Sequence, residues 1–356
     1  MAPSSSELKT LDRSTISEID TTDQLTDVLA IPEHLRDAQW KVESTNLGSW
    51  DSPGGLVVAG MGGSAVGGAL ARAILGDHCS RPILAARSYG LPAWTTPDIT
   101  VLCSSYSGDT EETLACYEAA GALGATRVVM TTGGQLAEAA RRDGVPVIPA
   151  AGGFQPRAAV GYATVAALEV AAACGAGPRM GSEIDVAAEH LEALVEEWGP
   201  EAPEDSLAKS IARRLHGTIP LVGGAGLTTP IAYRWKTQIN ENAKVHAFAH
   251  ELPELDHNEV VGWGGVEGLG PFSQVFLDDS DTHPRVKARM ALTSRMVGDA
   301  AQDVLHVESR GRTTAERVFS LVLLGDLVSL YLAVLRGVDP GPVDVLVRLK
   351  DELNAL

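Results

Sequence analysis

The stretch that decides the fold is Ser105-Tyr106-Ser107-Gly108-Asp109-Thr110-Glu111-Glu112-Thr113. It follows an apolar run, residues 99–103, that predicts a buried strand, and it precedes residues 114–120, which predict a helix. A strand-to-helix turn favours anions, because free backbone N–H groups and the helix dipole both present positive charge there. The hydroxyls add neutral donors, and Gly108 permits close backbone approach. A hydroxyl cap in an ordinary loop is the alternative interpretation.

Strand and helix patterns alternate around this stretch. In the first half, strands are predicted near residues 54–60, 82–86, 99–103, 127–131 and 146–148, and helices near 24–39, 65–75, 158–174 and 183–198. Strands that alternate with helices predict a mostly parallel sheet with helices on both faces.

The second half opens in the same way as the first. Residues 220–226 form an apolar run that ends in glycines. Further strands are predicted at 274–277 and 304–307, and helices at 227–239, 285–297, 314–336 and 343–353. The sequence therefore predicts an α/β protein of two doubly wound domains, residues 45–200 and 201–356, after a tail and helical lead-in at 1–44.

Composition limits the class of partner. The 356 residues carry 46 acidic and 28 basic side chains, a net charge of −18, which disfavours nucleic acid and anionic membranes. Four cysteines without a C-x-x-C pair fit a reducing cytoplasm and predict no disulfide or zinc framework. We expect no signal peptide and no apolar run of membrane-spanning length.

A glycine motif gives two competing interpretations. Gly60-Met61-Gly62-Gly63-Ser64-Ala65 fits the G-x-G-x-x-A form of a dinucleotide site, and Arg87 after the next strand could hold the 2′-phosphate of NADP. Alternatively, Ser64 could converge with Ser105, Ser107 and Thr110 on a single phosphate or sugar.

Acid/base candidates lie in the second half. Glu241, at the end of a predicted helix, and His257, sixteen residues later, could supply a base and a second acid/base, or they could be a solvated helix end and a surface loop. Arg157, at a predicted helix start, could lie on the surface or stabilise an anionic intermediate. The i, i+4 pair His246 and His250 is interpreted as a coincidence in a loop, so no metal site is predicted.

Four segments carry a family resemblance: residues 60–64, 105–113, 234–244 and 252–263. Their order and spacing fit over about residues 45–356. The chain resembles the bacterial and archaeal bifunctional phosphoglucose/phosphomannose isomerases, which are built of two sugar-isomerase (SIS) domains. The last two segments are specific to that family, whereas the serine loop occurs across SIS proteins.

The resemblance implies a role for each candidate. Glu241 would move a proton between C1 and C2, Arg157 would stabilise the enediolate, and His257, reaching across a homodimer, would assist ring opening together with Lys350. The sugar phosphate would be held by Gly62, Gly63, Ser64, Ser105, Ser107 and Thr110. The resemblance implies a cytoplasmic enzyme for a small sugar phosphate, with no metal or redox cofactor.

Two residues depart from the family pattern. Asp109 stands where the family usually has Asn, so its charge would repel a phosphate if it pointed inward, and Ala65 replaces a common glycine. The alternatives are therefore an isomerase of another phosphosugar, a non-catalytic sugar-phosphate sensor, and an NADP-dependent oxidoreductase.

Overall fold

The computed structural model describes residues 9–355, and its first sheet has five parallel strands. These are β1 (Leu56–Ala59), β2 (Ile83–Ala86), β3 (Thr100–Ser104), β4 (Thr126–Thr131) and β5 (Val147–Pro149). Their order is β2-β1-β3-β4-β5, so the strand order reverses between β1 and β3. Ligands of such sheets bind outside the carboxyl ends of the strands at this switch point.

The second sheet has four parallel strands in the order β7-β6-β8-β9. They are β6 (Ile219–Gly224), β7 (Phe248–Glu251), β8 (Phe272–Asp278) and β9 (Asp303–Glu308). The sequence did not predict β7, an edge strand whose Phe248 and Glu251 are exposed. His250 therefore lies on a strand, where its ring contacts Glu259 and burial lowers its pKa.

Helices cover both sheets, which confirms the predicted α/β class. In chain order they are α1 (Arg13–Ser17), α2 (Gln24–Leu29), α3 (Ile31–Thr45), α4 (Gly62–Leu75), α5 (Glu111–Leu123), α6 (Gly134–Asp143), α7 (Val160–Ala173), α8 (Gly181–Trp198), α9 (Leu207–Leu215), α10 (Thr229–Ala243), α11 (Glu259–Gly262), α12 (Pro284–Val297), α13 (Thr314–Arg336) and α14 (Asp344–Asn354). The single helix predicted at 24–39 is in fact α2 and α3. Pro32, which has no N–H to continue the ladder, stands at the start of α3.

The long helix α13 lies at the centre of the molecule and packs against α8, α9 and α10. Its length and composition would suffice to cross a membrane, so the expectation that no apolar run is long enough was wrong. However, 94% of its most apolar window is buried within the fold, as in the core helix of a soluble protein.

The two halves repeat one turn geometry. Gly62 and Gly226, which follow β1 and β6, have left-handed φ values of +52° and +55°. A glycine adopts this conformation without the steric cost that a side chain adds. Helix α10, which follows the second turn, also contacts α4 of the first half. The two sheets and this repeat fit the predicted pair of domains, whose bounds at residues 44 and 200 stay predictions.

Candidate functional site

The hydroxyl loop after β3 is closed by its own hydrogen bonds. Ser105 Oγ and Thr110 Oγ1 lie 2.8 Å apart, and the Gly108 N–H donates to Ser105 Oγ at 3.1 Å. Gly108 has φ +77°, and a Cβ there would collide with the Gly133 carbonyl oxygen. Ser107 is exposed, and its oxygen accepts from the Asp109 N–H at 3.2 Å, which leaves its proton free to donate outward.

The Asp109 carboxylate is directed toward the neighbouring loop. Its Oδ1 accepts from the Gln135 N–H at 3.0 Å, at the start of α6. A carboxylate at a helix N-terminus is favoured by the local dipole. The hydrogen bond therefore holds one carboxylate oxygen of Asp109 at the start of α6.

The glycine turn before α4 packs against the end of β3 and against the segment that carries Arg157. A Cβ on Gly60 would lie 2.6 Å from the Ser104 carbonyl oxygen and 3.2 Å from Ser64 Cβ. A Cβ on Gly63 would lie 3.4 Å from Arg157 Cα. These close approaches bring Ser64, the β3 loop and Arg157 to one end of the first sheet.

Arg157 is buried, with 7% of its surface exposed, so the surface interpretation was wrong. Its Nε donates to Asn242 Oδ1 at 2.8 Å, and its Nη2 donates to the Pro340 carbonyl at 2.8 Å. Burial lowers the pKa of this arginine, and the Glu241 carboxylate acts in the opposite direction. The side chain of a first-half residue is thus held by the second half.

Glu241 lies near the end of α10 beside that guanidinium. Its Oε2 is 3.7 Å from Arg157 Nη1, and 34% of its side chain is exposed. Lys244 ends the helix with φ +55°, and its Nζ donates to the Pro340 carbonyl at 3.1 Å. Burial, and secondly the charge of Arg157, lower the pKa of Lys244. The arrangement offers a solvent-accessible carboxylate next to a fixed cation.

A buried ion pair between α10 and α13 holds the backbone of Arg157. Arg234 on α10 donates from Nη2 and Nε to the two carboxylate oxygens of Asp326 on α13, at 2.6 and 3.0 Å. Arg234 Nη2 also donates to the Arg157 carbonyl at 3.0 Å, and Gln238 Nε2 donates to Asp326 at 3.0 Å. Sequence reasoning missed Asp326 because it lies within an apolar run. The i, i+4, i+8 spacing of Arg234, Gln238 and Asn242 was a signal that could have indicated a polar face on α10.

Comparison with known proteins shows the family to which the chain belongs. A family model described as the bacterial phospho-glucose isomerase C-terminal SIS domain matches residues 204–353. A bifunctional phosphoglucose/phosphomannose isomerase of Caldicellulosiruptor bescii is 41% identical over 301 residues, which span 84% of this chain and 89% of the relative. The chain belongs to the bifunctional phosphoglucose/phosphomannose isomerase family. The resemblance stated from the sequence is confirmed.

Other comparisons agree with this membership. A bifunctional phosphoglucose/phosphomannose isomerase of Aquifex aeolicus is 37% identical over 302 residues, 84% of this chain and 90% of that one. Among solved structures, a hypothetical protein from Thermus thermophilus superposes with a TM-score of 0.72 at 18% identity, over 97% of this chain and 94% of that one. At that identity the similarity shows the shared fold.

Two residues that the phosphoglucose/phosphomannose isomerase pattern marks are exposed. His257 is exposed on a turn that is anchored through Asp256, which accepts from Thr293 Oγ1 at 2.7 Å and from Arg289 Nη1 at 3.2 Å. Lys350 is exposed on α14. Within residues 9–355, no hydrogen bond or ion pair joins His257 or Lys350 to Glu241 or Arg157.

Arg87, the residue that could hold the 2′-phosphate of NADP, lies against the aromatic ring of Tyr233. Its guanidinium lies 4.9 Å from the centre of the Tyr233 ring on α10. Such a cation–π contact holds the side chain against the second half of the chain. Arg87 remains exposed in this contact.

Proposed function

We propose that this protein interconverts glucose 6-phosphate and mannose 6-phosphate with fructose 6-phosphate by an enediol route without a metal or redox cofactor. The observation that carries the proposal is the 3.7 Å approach of Arg157 Nη1 to Glu241 Oε2, next to two hydroxyl-bearing turns. Aldose–ketose isomerisation needs a base and an oxyanion stabiliser, and this pair provides both. The names of the relatives support the choice of substrates.

The proposed route assigns the proton transfer between carbons, the stabilisation of charge, ring opening and phosphate binding to different residues. Glu241 takes the proton from C2 of the open-chain aldose and returns it to C1, while the O2 proton moves to O1. Arg157 stabilises the negative charge that develops on the enediolate oxygens. His257 and Lys350 assist ring opening, and Ser64, Ser105, Ser107 and Thr110 hold the phosphate with the backbone at Gly62 and Gly63.

One assay separates this proposal from its alternatives. Purified protein is mixed with fructose 6-phosphate, and glucose and mannose 6-phosphate are measured. Formation of both sugars supports the proposal. Binding without turnover would instead indicate a sensor, and NADPH binding with neither effect would indicate an oxidoreductase. If fructose 6-phosphate is not converted, other phosphosugars are tested in the same assay, and turnover of one of them would identify a different substrate.

Replacing Ser107 with Ala is expected to weaken the binding of fructose 6-phosphate about tenfold, since a hydrogen bond contributes roughly 0.5–1.5 kcal/mol net, and more to a charged acceptor. Isothermal titration measures the dissociation constant. Ser80→Ala is the matched control, because the Ser80 hydroxyl is also exposed but donates to the Gly175 carbonyl elsewhere. Equal dissociation constants for the wild type and Ser107→Ala would contradict the predicted phosphate loop.

We infer a homodimer in which His257 reaches the partner's site. Its own chain leaves the ring exposed and unconnected to Glu241 in the described residues. Helix α14, which carries Lys350, also leaves a row of apolar side chains exposed, namely Val345, Leu346, Leu349 and Leu353. A second copy of the chain that packs on this helix would bury the row and bring the missing groups to each site.

Mixing two inactive variants tests the shared site. If His257 acts across the interface, a dimer of one Glu241→Gln chain and one His257→Ala chain has one site with both groups intact. After complete subunit exchange, about a quarter of the wild-type activity is expected, because half of the dimers are mixed and each has one working site. Exchange is verified by mass spectrometry. Verified exchange without recovered activity would place both groups within one chain.

We place the enzyme in the cytoplasm. All four cysteines, Cys79, Cys103, Cys116 and Cys174, are free thiols, as a reducing compartment permits. The long apolar helix α13 is used in the core. The acidic net charge of −18 argues against nucleic acid and membrane partners.

A further inference from the structure

The acceptors that hold Arg157 are all neutral. A guanidinium has five N–H donors, and three of them are occupied here. Nε donates to the Asn242 amide oxygen at 2.8 Å, and Nη2 donates to the carbonyls of Pro340 at 2.8 Å and Gly341 at 3.2 Å. The remaining nitrogen, Nη1, is the one that lies 3.7 Å from Glu241. The side chain is therefore fixed on one edge without loss of its charge, and the other edge is left for the site.

The orientation of the Asn242 amide follows from its second hydrogen bond. Its Nδ2 donates to Ser329 Oγ at 2.9 Å, while the single hydroxyl proton of Ser329 is donated to the Asp326 carbonyl at 2.7 Å. Because that proton is used, Ser329 can only accept from Asn242. The amide nitrogen must therefore face Ser329, and the oxygen must face Arg157.

Two of the carboxylates near Arg157 have other partners. Asp326 is paired with Arg234, and Asp20 accepts from the Leu25 N–H. Asp27 and Arg157 line the same small cavity of about 10 Å³. Among the described residues, Glu241 is the one carboxylate within 4.0 Å of the guanidinium. A second carboxylate placed against Nε would therefore change the electrostatics of the site.

We propose that Asn242 is a positioning residue for this reaction: its amide, oriented by Ser329, holds Arg157 in place while leaving the positive charge available to the enediolate. This inference rests on the proposed function. It assigns to Asn242 and Ser329 a part in catalysis through Arg157, without contact with the substrate.

Asn242→Asp separates this role from a structural one. Asp has the same shape and keeps an acceptor for Arg157 Nε. It loses the donor to Ser329, but the Ser329 hydroxyl can turn and donate to the carboxylate instead, so a purely structural role predicts little change in activity. Positioning by a neutral group predicts that kcat falls about tenfold or more, because the added carboxylate competes for the charge that stabilises the transition state. The KM for fructose 6-phosphate and the inhibition constant of inorganic phosphate should change less than about threefold, since the phosphate loop is untouched.

Ser329→Ala provides a second test that does not alter charge. Without the hydroxyl the amide nitrogen loses the acceptor that fixes it, so Asn242 holds Arg157 less firmly, and kcat is expected to fall about threefold to tenfold at unchanged KM. Ser320→Ala is the matched control, since Ser320 is also buried on α13 and donates to the carbonyl three residues earlier, that of Arg317, at 2.8 Å. Ser320→Ala should keep the wild-type kcat.

Arg157→Gln and Glu241→Gln, measured alongside, distinguish the two levels of failure. If these variants lose activity while Asn242→Asp and Ser329→Ala keep the wild-type kcat, positioning by Asn242 is overturned and the proposed function stands. If Arg157→Gln and Glu241→Gln are as active as the wild type, the proposed function itself is overturned. Should Asn242→Asp fail to fold, the comparison of Ser329→Ala with Ser320→Ala decides alone.

Discussion

Replacing Glu241 with Gln is expected to lower kcat by about 10²-fold or more, the scale usual for a positioned acid/base. Gln keeps the shape of the side chain and loses the basicity that proton abstraction requires. The KM for fructose 6-phosphate should change little, because the proposed phosphate site lies at the turns after β1 and β3. Coupled assays of glucose 6-phosphate formation measure both constants. In deuterated water the wild type should also place deuterium at C2 of the aldose.

The control for this substitution is Glu118→Gln, which removes an exposed carboxylate from α5 and changes the net charge equally. It should match the wild type in kcat and KM. The melting temperature of Glu241→Gln is measured in parallel, because the change leaves the buried Arg157 without its ion-pair partner. A kcat near the wild-type value in a folded variant would remove Glu241 as the base.

Of the substitutions considered, Asp326→Ala is expected to lower the free energy of unfolding the most. Asp326→Ala leaves the Arg234 guanidinium buried and uncompensated, since both side chains are 2% exposed. Breaking such a pair costs roughly 3–5 kcal/mol, because the remaining charge loses both water and its partner. Urea unfolding monitored by circular dichroism gives the free energy. Activity should fall as well, since Arg234 also binds the Arg157 carbonyl.

A surface ion pair supplies the comparison. Arg348 Nε and Glu352 Oε1 on α14 lie 2.7 Å apart, with 80% and 64% of their side chains exposed. Glu352→Gln should cost less than about 1 kcal/mol. The double variant Arg234→Met, Asp326→Leu should be more stable than Asp326→Ala, because no charge is left unpaired. If Asp326→Ala and Glu352→Gln lowered the free energy of unfolding equally, burial of the ion pair would not determine the cost of breaking it.

The sequence predicted those parts of the molecule whose signal is local. Strands β1 and β3 are largely apolar and fully buried runs that end next to Gly60 and at Ser104, as expected of parallel strands covered on both faces, and the predicted runs overlap these two strands and β4. The hydroxyl loop was found because its residues are contiguous. Helix α13 was predicted at its observed bounds, residues 314–336.

The missed features depend on partners far along the chain. Arg157 could not be predicted to be buried, because its acceptors Asn242 and Pro340 lie 85 and 183 residues away. Strand β7 has four residues, and two of them are exposed, so neither an apolar run nor a clean alternation marks it. The placement of His257 and Lys350 in a shared site stays a prediction.

The hydrogen bond between Arg157 and Asn242 has a consequence for recombination. A chimeric protein can be made by joining the first half of one relative to the second half of another at residues 200–203, the predicted domain boundary. In such a chimera the arginine comes from one parent and the amide from the other. A chimera made there would keep both sheets and both glycine turns. The chimera would be active only if the helix from one parent places its amide where the arginine of the other parent can donate to it. Among chimeras of different parents, we therefore expect activity in those that preserve this hydrogen bond.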